Sequence, residues 1–186
     1  MHSDPVHNPT CGAGRVVFLA GTRIATPLGW RTVERLRPGD RLLAASGAVG
    51  ISGMYRSDSD ARTCQQGIEV PPDCLGNREV AYLLPDHALT APGGGARSIR
   101  AGDLPGYFGI LHCALPVGAV LVTLDLERPA ELGIAHGLWV RTIGMPQDQA
   151  GDMPSLRALL LLCAERVGQG LREAARPPPT CWPGAG

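Results

Sequence analysis

The chain has 186 residues, and 44% of them are hydrophobic, which is enough apolar side chain for one ordinary domain with a sizeable core. Its 17 basic and 17 acidic residues balance, so the totals give no reason to expect nucleic acid or an anionic membrane as a partner, and they leave a protein partner open. The 25 glycines and 17 prolines are scattered, which argues against a long-helix bundle or a collagen-like repeat and predicts many turns between short elements.

The predicted elements begin after an irregular leader. Residues 1–14 show no periodicity, and we expect them to be disordered, with order beginning near Arg15. Short strands bounded by turn residues are expected over residues 16–19, 23–26 and 41–45. Between the last two, Val33 and Leu36 lie three apart, which predicts a single helical turn.

The middle of the chain is harder to interpret. Residues 47–77 have little hydrophobic pattern, and we expect a partly extended excursion with surface loops. Alternation returns afterwards, and strands are predicted over residues 79–84, 97–100, 108–115 and 119–126. Short strands at close turn spacing predict an all-β body.

The composition changes near residue 144. Residues 145–154 are expected to form a polar linker, residues 155–175 a helix with a leucine stripe, and residues 176–186 a disordered tail. We expect the helix to pack on the β body, and a dimer seam is the alternative. The oligomeric state is left open.

No targeting segment or span is expected. Residues 1–14 have no basic start followed by an apolar core, and the longest apolar run, 158–164, is far below the roughly 20 residues of a membrane span. We therefore expect a protein without a membrane segment, cytoplasmic by default, with signal-independent secretion left open.

Six cysteines are present, and none lies in a CxxC pair or beside histidines at metal-site spacing. Cys64 and Cys74 could bridge a loop in an oxidising compartment, and free thiols are the alternative in a reducing one. No nucleotide-binding or metal-protease motif appears, so we expect neither a cofactor nor a metal.

Residues 17–43 resemble the opening of bacterial hedgehog/intein (Hint) domains. That family opens with Cys-Phe, a Gly-Thr step, a strand ending at Thr-Pro-x-Gly, and then Val-Glu-x-Leu-x-x-Gly-Asp, and these positions agree in order and spacing. Residues 83–89 resemble the family's Ser/Thr-Pro-Asp-His segment, and residues 125–138 resemble its late strand pair. The resemblance implies a Hint-type all-β fold over residues 15–144, with the one C-terminal helix packed on it.

The resemblance also implies a reaction at the first position of the domain. Hint domains attack the peptide bond before their first residue with a thiol or hydroxyl, which converts the amide to a thioester or ester. The aligned first position is Val17, whose side chain has no lone pair and cannot attack the carbonyl of Val16. The sequence therefore predicts that this acyl shift is lost.

Asp86 and His87 match the family's Asp-His pair and are the residual catalytic candidates. The family histidine protonates the leaving nitrogen while a Ser/Thr three residues earlier helps to polarise the site, but that earlier position is Leu84. Many bacterial members have histidines around the late acidic run, where this chain has Thr123 and Pro129. Several active positions changed together predict lost function.

Cys11 is an alternative nucleophile, because Cys11-Gly-Ala-Gly is similar to a family start six residues upstream of the aligned position. The strand and turn that follow fix the register at Val17, which disfavours Cys11. The chain also lacks a His-Asn pair at a C-terminal junction and has no length for an endonuclease insert, so splicing is not expected.

Three functions follow from these observations. The first is a degenerate Hint domain that serves as a binding or structural module. The second is an active autoprocessing domain that uses Cys11 or water. The third is an unrelated hydrolase built around Asp86 and His87, with Cys113 or His112 nearby, which would need a nucleophile within hydrogen-bond reach of His87.

Overall fold

The computed structural model describes residues 14–58, 66–90 and 98–143, and these residues form β-strands joined by turns. The strands are β1 (Gly14–Leu19), β2 (Arg23–Thr26), β3 (Gly29–Thr32), β4 (Arg41–Ala44), β5 (Gly47–Asp58), β6 (Gln66–Val70), β7 (Ala81–Leu83), β8 (Ala88–Thr90), β9 (Ser98–Arg100), β10 (Leu111–Ala114), β11 (Val120–Leu126), β12 (Glu131–Ile134) and β13 (Leu138–Arg141). The all-β class predicted from turn spacing is confirmed. The leader up to residue 13, the linker, the helix expected over 155–175 and the tail lie outside the described residues.

Ten strands form one antiparallel sheet in the order β1-β11-β5-β4-β12-β13-β8-β9, and β2 joins it through β12 and carries β3. A second sheet of three strands has the order β10-β6-β7. β1 lies at the end of the larger sheet and pairs with β11 along its whole length, from Gly14 opposite Leu126 to Leu19 opposite Leu121. β1 therefore has one fully paired side and one side, which we call its open side, that is bridged at Arg15 but not paired along its length.

One helical turn was predicted from the spacing of Val33 and Leu36, and the structure confirms it as a 3-10 turn over Val33–Arg35, between β3 and β4. Val33 and Leu36 are buried, as their spacing indicated. Two acidic side chains fix the surrounding loops: Glu34 Oε2 accepts a hydrogen bond from the Gly21 amide at 2.8 Å, and Asp40 Oδ2 accepts one from the Arg37 amide at 2.9 Å.

Residues 47–77, expected as a partly extended excursion with surface loops, contain more regular strand than their weak pattern indicated. β5 occupies twelve of these residues, and β6 begins at Gln66. β5 is rich in glycine, alanine and serine, so its hydrophobic pattern is weak, but it lies between β4 and β11 and receives backbone hydrogen bonds from both. Pairing with β11, which is distant in the sequence, therefore makes this segment a strand although its local propensity for one is weak.

The long strand expected over residues 108–115 was wrong in its first half, because β10 spans only Leu111–Ala114. Phe108 and Gly109 have φ angles of 49° and 76°, which belong to the left-handed region and interrupt an extended chain. Residues 125–138, which resemble the family's late strand pair, span the end of β11, all of β12 and the start of β13. Ala135 and His136, with φ angles of 47° and 57°, form with Gly137 the tight hairpin turn between β12 and β13.

The core of the described residues is aliphatic, with Phe18 as its one aromatic side chain. β12 is buried along its whole length because it pairs with β13, β2 and β4. No helix in the described ranges is long and apolar enough to cross a membrane.

Candidate active site

The candidate site lies along the open side of β1. Arg15 exchanges two backbone hydrogen bonds with Ile143 there, at 3.3 and 2.8 Å. Because backbone groups alternate in direction along an antiparallel strand, Val17 also points its N–H and C=O to this open side. The carbonyl of Val16 then points the other way, toward Leu124 of β11.

His87 reaches the open side of β1 from the turn before β8. Its Nε2 lies 2.6 Å from the carbonyl oxygen of Val17, and its Nδ1 lies 3.3 Å from the backbone nitrogen of Leu84. A backbone N–H can only donate, so Nδ1 accepts and carries no proton. The ring is therefore the neutral tautomer whose Nε2–H donates to Val17, an assignment that rests on the hydrogen-bond network.

The turn that carries His87 is closed by its own backbone. The His87 amide donates to the Leu84 carbonyl at 3.0 Å, and the His87 carbonyl accepts from the Ala101 amide at 2.8 Å. A third bond runs from the Gly102 amide to the Pro85 carbonyl at 2.9 Å. The ring position is therefore set by two chain segments, the turn itself and the residues after β9.

Burial controls the protonation of His87. The residue is 7% exposed, and its ring lies 5.4 Å from the ring of Phe18. Desolvation lowers the pKa of His87 to about 4, against the smaller opposing effects of the Val17 bond and the Asp86 charge. A proton on Nδ1 would also remove the lone pair that accepts the Leu84 N–H. This hydrogen bond therefore favours the neutral ring as well.

These contacts bury the carbonyl that an acyl shift would attack and direct the histidine to a different group from the nitrogen that would leave. The carbonyl that would be attacked belongs to Val16 and points into the β1–β11 ladder. The histidine lies on the other side of β1, to which the Val17 N–H also points, but its Nε2 bonds to the Val17 carbonyl and not to that nitrogen. The first position itself offers only a half-buried valine side chain.

The other predicted site residues that the structure describes are spread over β11, the turn before β8 and the loop between β11 and β12. Thr123 is directly opposite Val17 on β11, and Asp86 is exposed in the turn beside His87. Leu84 contributes its backbone N–H, which any residue type could supply. Pro129 lies between β11 and β12. Cys11 lies outside the described residues.

The residues considered for a hydrolase lie on β10, in the smaller sheet. His112 and Cys113 pair with Ile68 and Gly67 of β6, and neither is a hydrogen-bond partner of His87. Burial raises the pKa of the Cys113 thiol, and the Glu69 charge adds to that rise, so the thiolate is disfavoured. Both ring nitrogens of His87 are occupied by backbone groups, so no nitrogen is open to a nucleophile.

The described residues hold no group of three or more His, Cys, Asp or Glu side chains placed to bind a metal ion. Cys74 has a free thiol that donates to the Phe108 carbonyl at 3.0 Å, while Cys64 lies outside the described ranges. Sequence reasoning found His87 and Val17 but missed Ile143, since a single exposed isoleucine after the last strand gives no pairing signal.

No family model matches the chain, and no curated protein matches it. Among solved structures, the chain is similar to a bacterial intein-like domain from Clostridium thermocellum, with 15% identity, a TM-score of 0.52, and coverage of 67% of this chain and 97% of that one. A splice-inactive variant of the AceL NrdHF class 3 split intein matches with 13% identity, a TM-score of 0.45, and coverage of 68% and 96%. The MchDnaB-1 intein matches with 18% identity, a TM-score of 0.43, and coverage of 67% and 98%.

Proposed function

We propose that this chain, whose described part has a Hint-type fold like that of the intein-like domain, is a degenerate Hint domain that does not cleave its own backbone and serves as a binding or structural module. The observation that carries this proposal is the hydrogen bond from His87 Nε2 to the Val17 carbonyl at 2.6 Å. The histidine that would serve catalysis instead ties the first strand to the turn before β8.

A missing nucleophile is the first support. An acyl shift needs a thiol or hydroxyl on the residue after the attacked carbonyl, and Val17 has neither. Replacing Val17 by cysteine would restore the atom but not its approach, because the Val16 carbonyl stays within the β1–β11 ladder. Attack would require local opening of a strand paired on one side with β11 and bridged on the other to Ile143.

The state of His87 is the second support. A general acid needs a transferable proton and a pKa near the working pH. With a pKa of about 4, His87 is neutral at pH 7, and the proton it does carry is directed at a carbonyl oxygen rather than at the nitrogen that would leave. The ring is suited to holding β1 in place. A cytoplasmic location stays a prediction from the sequence.

The test is the intact mass of the chain with a tag ahead of Met1, incubated with a strong thiol, for the wild type, Val17→Cys and Cys11→Ala. We expect unchanged masses for all three. Cleavage of the wild type that Cys11→Ala abolishes would establish the autoprocessing alternative. Thiol-dependent cleavage of Val17→Cys before residue 17 would show that the remaining machinery is intact and would refute the structural role given to His87.

A further inference from the structure

A concave surface beside the 3-10 turn is lined mainly by arginine and encloses about 640 Å³. Its charged residues come from β3, the 3-10 turn, the following loop and β5, and they are Arg31, Glu34, Arg35, Arg37, Asp40 and Arg56. We call this surface the arginine pocket. It contains four guanidinium groups and two carboxylates, so a chain that is neutral in total carries a local positive excess here.

Two of the guanidinium groups are oriented by backbone carbonyls, and one of them, Arg31, also forms an ion pair with Asp40 at 3.4 Å. Arg31 donates to the carbonyl of Arg35 at 3.0 Å, and Arg56 donates to the carbonyl of Glu34 at 2.5 Å. Both carbonyls belong to the 3-10 turn. A carbonyl orients a guanidinium without cancelling its charge, so these contacts prepare the two groups for an anion at low entropic cost.

Both carboxylates of the pocket are occupied by backbone amides. Glu34 Oε2 accepts from Gly21 at 2.8 Å; burial alone would raise the pKa of this carboxyl, but its hydrogen bonds, first that from Gly21, outweigh burial and lower the pKa. Asp40 Oδ2 accepts from the Arg37 amide at 2.9 Å and meets Arg31 only at 3.4 Å. The acidic groups therefore neutralise the arginines incompletely.

The remaining two guanidinium groups are exposed and available. Arg37 forms no side-chain hydrogen bond or ion pair with a described residue, and the interaction of Arg35 is an electrostatic one with Glu34. Long arginine side chains beside a preformed pair can close on a bound anion. The four groups together provide more fork-shaped donors than the local carboxylates use.

We propose that the arginine pocket binds a phosphate dianion, carried by a small phosphorylated compound. Arginine forks match the oxygen geometry of phosphate with paired hydrogen bonds. A phosphate ester carries a charge of about −1.5 to −2 at pH 7, which matches the excess of two guanidinium groups over carboxylates, whereas one carboxylate would leave part of that excess unmatched. The site is separate from His87 and does not depend on whether the backbone is cleaved.

Calorimetric titration of the full chain at low salt, with inorganic phosphate as the probe and acetate as the monoanionic comparison, tests this proposal. We expect saturable phosphate binding that weakens with added salt, and much weaker acetate binding. The double variant Arg35→Gln/Arg37→Gln should weaken phosphate by about tenfold or more, because two charge-assisted contacts are lost. These side chains hold no described hydrogen bond, so the fold should persist, which circular dichroism checks.

The matched control is Arg78→Gln/Arg100→Gln, which removes the same charge from exposed positions outside the pocket. Its phosphate affinity should stay within about twofold of the wild type if the effect is local. Absence of saturable phosphate binding would overturn the proposal, as would an equal loss in both double variants. Acetate binding as tight as phosphate binding would show that the dianion assignment is wrong. The self-cleavage assay is read by mass, so failure of either proposal is seen separately.

Discussion

Acid should destabilise this domain through His87, and the structure sets the size of the effect. The pKa of the ring is about 4 in the folded chain against an ordinary 6.5, and desolvation is the main cause. As the pH falls below 6.5, His87 binds a proton in the unfolded chain but stays neutral in the folded chain until the pH approaches 4. The stability associated with the neutral ring is therefore complete above pH 6.5 and is lost as the pH falls toward 4, by about 3 kcal/mol in all.

The perturbation that isolates this effect is His87→Gln. At pH 7 the variant loses ring packing against Phe18 and an aligned bond to Val17, so we expect its free energy of unfolding to fall by about 1–2 kcal/mol. The glutamine does not titrate. Below pH 6.5 the wild type should lose about 1.4 kcal/mol per pH unit while the variant does not, so the two stability curves should cross near pH 5.5, to within about half a pH unit.

Urea denaturation followed by tryptophan fluorescence, in steps from about pH 7 to about pH 4.5, measures both curves, and the difference between them removes the contributions of all other groups. His112→Gln is the matched control, since it removes an exposed imidazole and should change stability at pH 7 by less than about 0.5 kcal/mol. A gap between wild type and His87→Gln that stays constant with pH would refute the buried neutral ring.

Three other outcomes are expected. Long-range proton–nitrogen NMR spectra should show His87 as the Nε2–H tautomer down to about pH 5, and a doubly protonated ring at pH 7 would contradict the site. Gly137→Ala should cost about 2 kcal/mol or more in urea denaturation, because its Cβ would lie 1.9 Å from the Gly76 carbonyl oxygen, whereas the control Gly133→Ala meets only ordinary contacts and should cost clearly less. Glu34→Gln should cost about 1 kcal/mol at pH 7. Because the pKa of the Glu34 carboxyl is lower in the folded chain than in the unfolded chain, the carboxylate stabilises the fold above its ordinary pKa, and this stabilisation is lost as the pH falls through the folded-state pKa. The cost of Glu34→Gln should therefore shrink in acid, and a cost that does not change with pH would contradict this.

Local patterns in the sequence determined the fold class and the position of the first strand. Turn residues divided the chain into short alternating segments, and the spacing of Val33 and Leu36 predicted the helical turn that the structure contains. The resemblance brought Val17 and His87 into one hypothesis although seventy residues separate them. These features were readable because periodicity and turn chemistry are properties of neighbouring residues.

Other features depended on contacts between distant segments. β5 has a weak pattern of its own, and it is held by pairing of its first four residues with β4 and of the residues from Ile51 onward with β11, which lies far away in the sequence. The sequence placed His87 beside the first strand, but only the tertiary structure decided that its proton is directed at a carbonyl and that its ring is buried. The charge totals balanced, so the arginine pocket appeared only when Arg56 of β5 was brought to the turn. Burial, hydrogen-bond direction and local charge depend on which distant residues meet, and they set what a side chain can do.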